Sequence, residues 1–537
     1  MNRNDIKVIL IPVVLAVAII IGMMLGRVLP GGGGNTRGIF LPVNGSKLDW
    51  IIGMIQHSYV DSVNTNEIIE RAIPVVLQDL DPHTVYIPAK DMQRVNEGIV
   101  GNFGGIGIQF YKYMDTVVVV KVVPGGPSEK EGILDGDRVI QVGDSVVAGK
   151  KMDTNKIMGM MRGEMGTKVE LTLVRRGEPK PLKRTIVRGS IPVKSVDVAF
   201  MADDTTGYVK VGTFGMNTLE EFLRALSGLQ EKGMRKLIID LRDNEGGVLP
   251  IAIRMVNEFL PKDALIVYTQ GKAQPRQDYT SNGKGRYQTV PLVVLINEYS
   301  ASASEIFAGA IQDNDRGLIV GRRSFGKGLV QEQRGLQDGS AIRLTVARYY
   351  SPSGRSIQKP YDEGKEKYYY DIYNRAIHGE FSEKDSIAFD ENLRFQTSGG
   401  RTVYGGGGIM PDIFVPADTV GASRYFANLV RKQFLYEYTF EFMDKHRKGM
   451  ANLKDTQAIL DYLKRFDLVN EVVNYAAKRG AERDEQGIKT SNAIIRCNTE
   501  AFIARHLIDD EGFYPVLFRI DDTFQKALTT PANVLEE

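Results

Sequence analysis

The residues best suited to chemistry in this 537-residue chain gather in residues 291–331, PLVVLINEYSASASEIFAGAIQDNDRGLIVGRRSFGKGLVQ. A buried-type strand, PLVVLI, runs into the polar turn Asn297-Glu298-Tyr299 and then into a small-residue helix of serines and alanines. A second apolar strand, GLIV, and the glycine-flanked Lys327 follow. A serine hydroxyl is a poor nucleophile at neutral pH and needs a base; a lysine whose pKa is lowered by burial can be that base. Lys327, between Gly326 and Gly328 with Phe325 beside it, suits apolar surroundings that favour the neutral amine. Three serines compete as its partner. Ser300 is placed to cap the helix. Ser302 falls in the first helical turn, where backbone amides and the helix dipole favour an oxyanion. Ser304 lies two residues further, about 200° round the helix, and faces elsewhere. The run from Gly321 to Lys327 almost spells a phosphate-binding loop, but Gly328 stands where magnesium binding requires Ser or Thr, which argues against a nucleotide hydrolase.

The rest of the chain must position this stretch. A net charge of +2, with no long basic run, gives no case for nucleic acid. Cys497 is the only cysteine, so an intramolecular disulfide and a multi-cysteine metal site are excluded. The histidines His57, His83, His378, His446 and His506 are scattered without zinc-protease spacing, and each is expected to be structural. No metal or cofactor is implied. Residues 8–26 form an unbroken apolar run between Lys7 and Arg27. At about 1.5 Å per residue, a helix of that length spans a hydrocarbon core of about 30 Å. We expect residues 1–29 to be an uncleaved single-pass anchor, with a cleaved signal as the alternative. Arg3 and Lys7 keep the N-terminus cytoplasmic and put the body across the membrane, in the periplasm.

Composition divides the exported body into a multidomain α+β chain. Residues 30–44 read as a glycine-rich tether and 45–98 as a small helical domain broken at Asp81-Pro82-His83-Thr84. Over 99–190 the pattern changes to short β-rich runs, with GGIGIQF and VVPGGPSEKEGILDGDRVIQVG leading to a short amphipathic helix. These segments resemble a bacterial PDZ domain, a module that adds a peptide as a strand and seats its terminal carboxylate on amides of a glycine-containing loop. By that resemblance the loop is Gly104-Gly105-Ile106-Gly107, and the helix flanking the peptide carries Ile157, Met160 and Met161. Strands alternate with helices over 191–418, which argues an α/β layered core with parallel pairings. Within it, residues 358–401 are tyrosine-rich and charged without clear periodicity, and read as an inserted or mobile loop region. Residues 419–537 turn helical with no catalytic pattern; packing or self-association into a homo-oligomer is expected of them.

LIIDLRDNEGG, NEYSASASEIFAGAIQD, RRSFGKGLVQ, YYSPSGRSIQ and GGGGIMPD together resemble the carboxyl-terminal processing proteases, also called tail-specific proteases. The resemblance runs from about Gly45 to Pro416. It implies a helical region, a PDZ domain and an α/β serine protease core with a Ser-Lys-Gln catalytic group. The nucleophile position falls on Ser302, the general base on Lys327 and the third member on Gln331, whose amide oxygen would hold the lysine amine toward the serine. Local geometry leaves this last contact open: a strand sets positions 327 and 331 about 13 Å apart, a helical turn about 6 Å. Gly246, Gly247 and Ala303 would supply oxyanion amides. The family commonly has proline where this chain has Glu245, which leaves that loop less rigid. The implied activity is a serine endopeptidase that binds the C-terminal tails of exported proteins and cleaves near them. A catalytically inactive PDZ scaffold that binds C-terminal peptides is the alternative.

Overall fold

The computed structural model describes residues 46–387, 389–417 and 421–531. The expected membrane run and tether lie outside them, and among the described residues no helix is long and apolar enough to cross a membrane. The chain divides into two compact units, residues 1–72 and 73–537. In the first, Ser46 and Asp49 form a capping box at the start of the Lys47–Ser58 helix, and a second helix, Thr65–Leu77, begins. The expected helical stretch 45–98 is not wholly helical. Val85–Ile87, already in the second unit, is a strand that pairs antiparallel with Ala341–Tyr350 of the same unit. Three residues between a proline-containing turn and a helix are too few to display an alternating pattern, so this strand was hidden.

The larger unit is built round a six-stranded sheet in the order Val196–Met201, Thr206–Val211, Lys236–Asp240, Leu292–Ile296, Leu318–Gly321, Ile413–Phe414. The first pairing is antiparallel and the other four are parallel, as alternating strands and helices predict. Strands 236–240 and 292–296 are buried at every position, and the second reads as an unbroken apolar run, LVVLI, while the first carries Lys236 and Asp240 at its ends. One face carries the helices Thr218–Glu231, Leu249–Asn257 and Ala303–Asp313 in the largest core. The other face is covered by Phe518, Phe524 and Ala527 from the C-terminal end. A second, antiparallel sheet joins Leu329–Gly335, Ala341–Tyr350, Leu265–Gln270 and Gln277–Thr280 to the Val85–Ile87 strand.

The β-rich segment forms its own sheet of Ile108–Tyr113, Thr116–Val122, Arg138–Val142, Lys168–Val174 and Leu182–Val187, with Ser145–Val146 paired at Arg138–Val142. The Thr154–Met161 helix packs over it. The C-terminal region is helical, as expected, and grips this sheet: the Tyr111 ring meets Tyr436 and Phe440, Arg138 pairs with Asp444 at 3.0 Å and Lys121 with Asp509 at 2.5 Å. The described residues of 358–401 include regular elements, contrary to the expected loop character. They form a helix, Lys365–Ile377, and a strand, Arg394–Gln396, that pairs with Thr402–Tyr404 just beyond the segment. The buried positions of that helix are Tyr368 and Arg375, and Arg375 pairs with Glu380 at 2.7 Å. A polar anchor leaves no hydrophobic period to read.

Candidate active site

The Leu292–Ile296 strand ends inside the main sheet, and the chain turns through residues 297–302 into the Ala303–Asp313 helix. Every residue of that helix is buried, which its alanines, glycine and serine allow by letting neighbours approach from all sides. Ser302 sits one residue earlier than expected relative to the helix: it is the N-cap, not part of the first turn, with φ 56° and ψ −113°. A non-glycine residue in such a conformation costs on the order of 1–3 kcal/mol and persists only where its surroundings hold it. Here they do. The Glu305 carboxylate accepts from the Ser302 amide at 2.9 Å, and Gly246 packs so closely that a Cβ there would lie 2.8 Å from Ser302 Cβ.

The three candidate serines separate cleanly. Ser300 does not cap the helix; its hydroxyl donates to Leu241 O at 2.7 Å and accepts from Asn297 N at 3.0 Å. Ser304 is fully buried and donates to Asn244 O at 2.8 Å. Both hydroxyls pin the turn at residues 297–302 to the loop after the Lys236–Asp240 strand. Asn244 strengthens that join, accepting from Ala301 N at 3.0 Å while its side chain donates to Val211 O at 2.8 Å. Ser302 is only half-buried and sits at the end of these anchors.

Lys327 lies in the turn just before the Leu329–Gly335 strand, so neither simple geometry for residues 327 and 331 applies. The long lysine side chain reaches along the strand, past a bulge between Val330 and Gln331, and donates from Nζ to Gln331 Oε1 at 3.0 Å. Burial, and then the Arg343 guanidinium, hold the amine below the ordinary lysine value of 10.5, against the pull of Glu305, Asp81 and Glu245. Ser302 and Lys327 are linked through two other side chains. The Glu305 carboxylate accepts from Ser302 N at 2.9 Å, Lys327 N at 2.8 Å, Gly326 N at 2.7 Å and Ser324 Oγ at 2.6 Å. Burial pushes its pKa up to about 7 against these four donors. The Tyr349 hydroxyl lies 3.0 Å from Ser302 O and also contacts Lys327 O; with a single proton, it donates to one of the two. Sequence reasoning passed over Glu305 and Tyr349. Glu305 carried a signal, since it stands three residues after Ser302 at capping-box spacing.

Of the three expected oxyanion donors, Gly246 has its amide engaged, donating to Asn244 Oδ1 at 2.8 Å. The amides of Gly247 and Ala303 donate to no acceptor among the described residues. Gly246 still matters as a space: at φ 102°, a Cβ would meet Ala303 N at 2.8 Å. The expected peptide-binding residues divide likewise. Gly104 and Gly105 belong to a strand, Asn102–Gly105, paired with Gly189–Pro192, and Ile106-Gly107 form the link into Ile108–Tyr113. Ile157 and Met161 are buried in the small-domain core, and Met160 is half-buried against it.

Residues 205–364 match the model of peptidase family S41, residues 104–185 a PDZ domain, and residues 425–509 a family of unknown function. Over 313 residues the chain is 36% identical to a carboxy-terminal-processing protease of Bartonella bacilliformis, covering 57% of this chain and 71% of that one. The chain belongs to peptidase family S41. Within that serine peptidase family it is also 33% identical over 314 residues to the carboxy-terminal processing protease CtpA of Bacillus subtilis, covering 58% of this chain and 66% of the relative. A solved photosystem II D1 C-terminal processing protease is 26% identical, with a TM-score of 0.37 over 70% of this chain and 89% of that chain. The S41 core therefore comes with a PDZ domain and a helical C-terminal region.

Proposed function

We propose that this S41 peptidase captures the C-terminal tails of exported proteins in its PDZ domain and cleaves near them through an acyl-enzyme on Ser302. One observation carries the reading. Among the three clustered serines, Ser300 and Ser304 are tied to backbone carbonyls, whereas Ser302 is held in a strained conformation against Gly246, and the amides of Gly247 and Ala303 donate to no acceptor among the described residues. Lys327 supports it as base, because among the described residues its amine hydrogen-bonds to one side chain, a neutral amide.

As Ser302 Oγ bonds to the peptide carbonyl carbon, its proton passes to the neutral Lys327 amine, and the oxyanion forms against the Gly247 and Ala303 amides. The C–N bond breaks as Lys327 returns that proton to the leaving amine. Water then hydrolyses the ester, with Lys327 again taking and returning a proton. No direct hydrogen bond joins the Ser302 and Lys327 side chains among the described residues, so the amine moves onto Oγ when substrate binds; catalytic bonds commonly tighten in this way. The apolar run in residues 8–26 supports a membrane-anchored body outside the cytoplasm, and the helical C-terminal region leaves self-association open to a mass measurement.

The test is turnover of one peptide with a free or an amidated C-terminus. Ser302→Ala is expected to abolish cleavage while tail binding survives, and amidation to slow the wild type by roughly tenfold, as expected if the PDZ loop seats the carboxylate. Full turnover by Ser302→Ala would refute the nucleophile assignment; equal rates on both tails would refute PDZ capture.

A further inference from the structure

The turn Asp81-Pro82-His83-Thr84, which in the sequence only interrupts a helical pattern, lies against the catalytic strand. Gln331 Nε2 donates to the His83 carbonyl at 2.6 Å, while Gln331 Oε1 accepts from Lys327 Nζ at 3.0 Å. A glutamine amide has one accepting end and one donating end, nearly equal in shape, and its own torsion does not choose between them. A backbone carbonyl only accepts. Opposite His83 O, the amide must therefore present its NH2 group, which turns Oε1 toward Lys327. The contact that orients the lysine amine is set by a carbonyl 248 residues earlier in the chain.

That carbonyl is held in place by one carboxylate. Asp81 Oδ1 accepts from His83 N and Thr84 N, each at 2.8 Å, and Oδ2 accepts from Thr84 Oγ1 at 2.5 Å. Asp81 Oδ1 also accepts from Thr345 Oγ1 at 3.1 Å, and Thr345 is the ladder partner of Gln331. Thr345 N donates in turn to Thr84 Oγ1 at 3.2 Å. One buried carboxylate thus ties the turn to the strand position facing Gln331, across the bulge that frees that strand from regular register. The four donors outweigh burial and keep the Asp81 carboxyl below its ordinary value, so it is an anion, with no proton of its own to give, throughout the neutral range. The His83 imidazole takes no part in this chain of contacts: it meets the Tyr368 hydroxyl at 2.8 Å, and burial followed by the Lys327 charge pushes its pKa down to about 4.

We infer that Asp81 is a positioning residue for catalysis, acting on Lys327 through the His83 carbonyl and the Gln331 amide. This rests on the reading of Lys327 as the base. It predicts a specific pattern in the purified full chain. Asp81→Asn and Gln331→Ala each lower kcat by about tenfold with KM within about twofold, and the double variant is no slower than the slower single one, because both break the same chain of contacts. A role confined to folding would instead multiply the two losses. Where Asp81→Asn lowers Tm below the assay temperature, Thr345→Val, which removes a single donor to Asp81, carries the same cycle with an expected loss of about threefold. Lys327→Ala is run alongside to separate the two claims. If it keeps turnover, the base assignment falls and this inference with it. If it is inactive while Asp81→Asn keeps wild-type kcat, or while the double variant multiplies the losses, the positioning role alone is overturned.

Discussion

Two lysines stand almost side by side in this protein and are treated in opposite ways. Lys359 N donates to Gly326 O, which puts its pocket directly next to that of Lys327. Burial lowers the pKa of both amines. Lys359, however, pairs with Asp371 at 2.9 Å and sits 4.0 Å from the centre of the Phe325 ring and 4.3 Å from that of Tyr368. A carboxylate and two π faces favour the ammonium. Among the described residues, the Lys327 amine hydrogen-bonds to the Gln331 amide oxygen and to no carboxylate, so its direct partner orients it without adding a negative charge. Burial alone does not make a lysine a base; the kind of partner decides.

The strongest way to break this contrast is to exchange the same side chain in both pockets. Lys327→Met is expected to lower kcat by at least about a thousandfold, as loss of a general base does. Lys359→Met is expected to stay within about tenfold in kcat and to cost about 1–3 kcal/mol of stability by stranding Asp371. Comparable losses of kcat in the two variants would erase the distinction.

A smaller effect is expected where the Lys327 pocket meets Ser302. Glu305→Gln replaces an acceptor for four donors by an amide with a single accepting oxygen, leaving at least one buried donor unpaired. We expect kcat to fall by about 10- to 100-fold with little change in KM. Wild-type turnover in this variant would show that Ser302 and Lys327 do not depend on the carboxylate between them.

The smallest effect is in stability. The folded pKa of Glu305, about 7, lies above its ordinary value of 4.5, so between these values the folded chain binds more protons than the unfolded one. Its contribution to stability is present below pH 4.5 and is lost as pH rises through 7, a change on the order of 1–3 kcal/mol. Unfolding by denaturant at pH 5 and pH 7.5 should show a steeper fall for the wild type than for Glu305→Gln. Parallel behaviour would mean that Glu305 is already ionised at pH 5.

Much of the architecture was legible in the residues. Apolar runs such as LVVLI predict strands buried on both faces, and their alternation with amphipathic stretches predicts parallel pairing. The Val85–Ile87 strand and the Lys365–Ile377 helix were not legible, the first for lack of length and the second because tyrosine and arginine occupy its buried positions. At the site, residue types and order pointed to Lys327 and three competing serines; the family resemblance narrowed these to Ser302 and added Gln331. Glu305 was overlooked because a glutamate in a helix is ordinarily solvated, and this one became a buried acceptor only when the turns at 324–327 closed over it.

By itself, the sequence determined a strand-turn-serine-helix unit, a lysine beyond it and a PDZ-like domain ahead of it, because propensity, turn chemistry and hydrophobic period act over a few residues. Only the tertiary structure decided which serine stays available and which way the glutamine amide points. Both depend on hydrogen-bond acceptors far away in the chain: Leu241 and Asn244 for Ser300 and Ser304, and His83 for Gln331. A hydroxyl or an amide carries no record in sequence of the carbonyl that will hold it, and that partner exists only once the chain has folded.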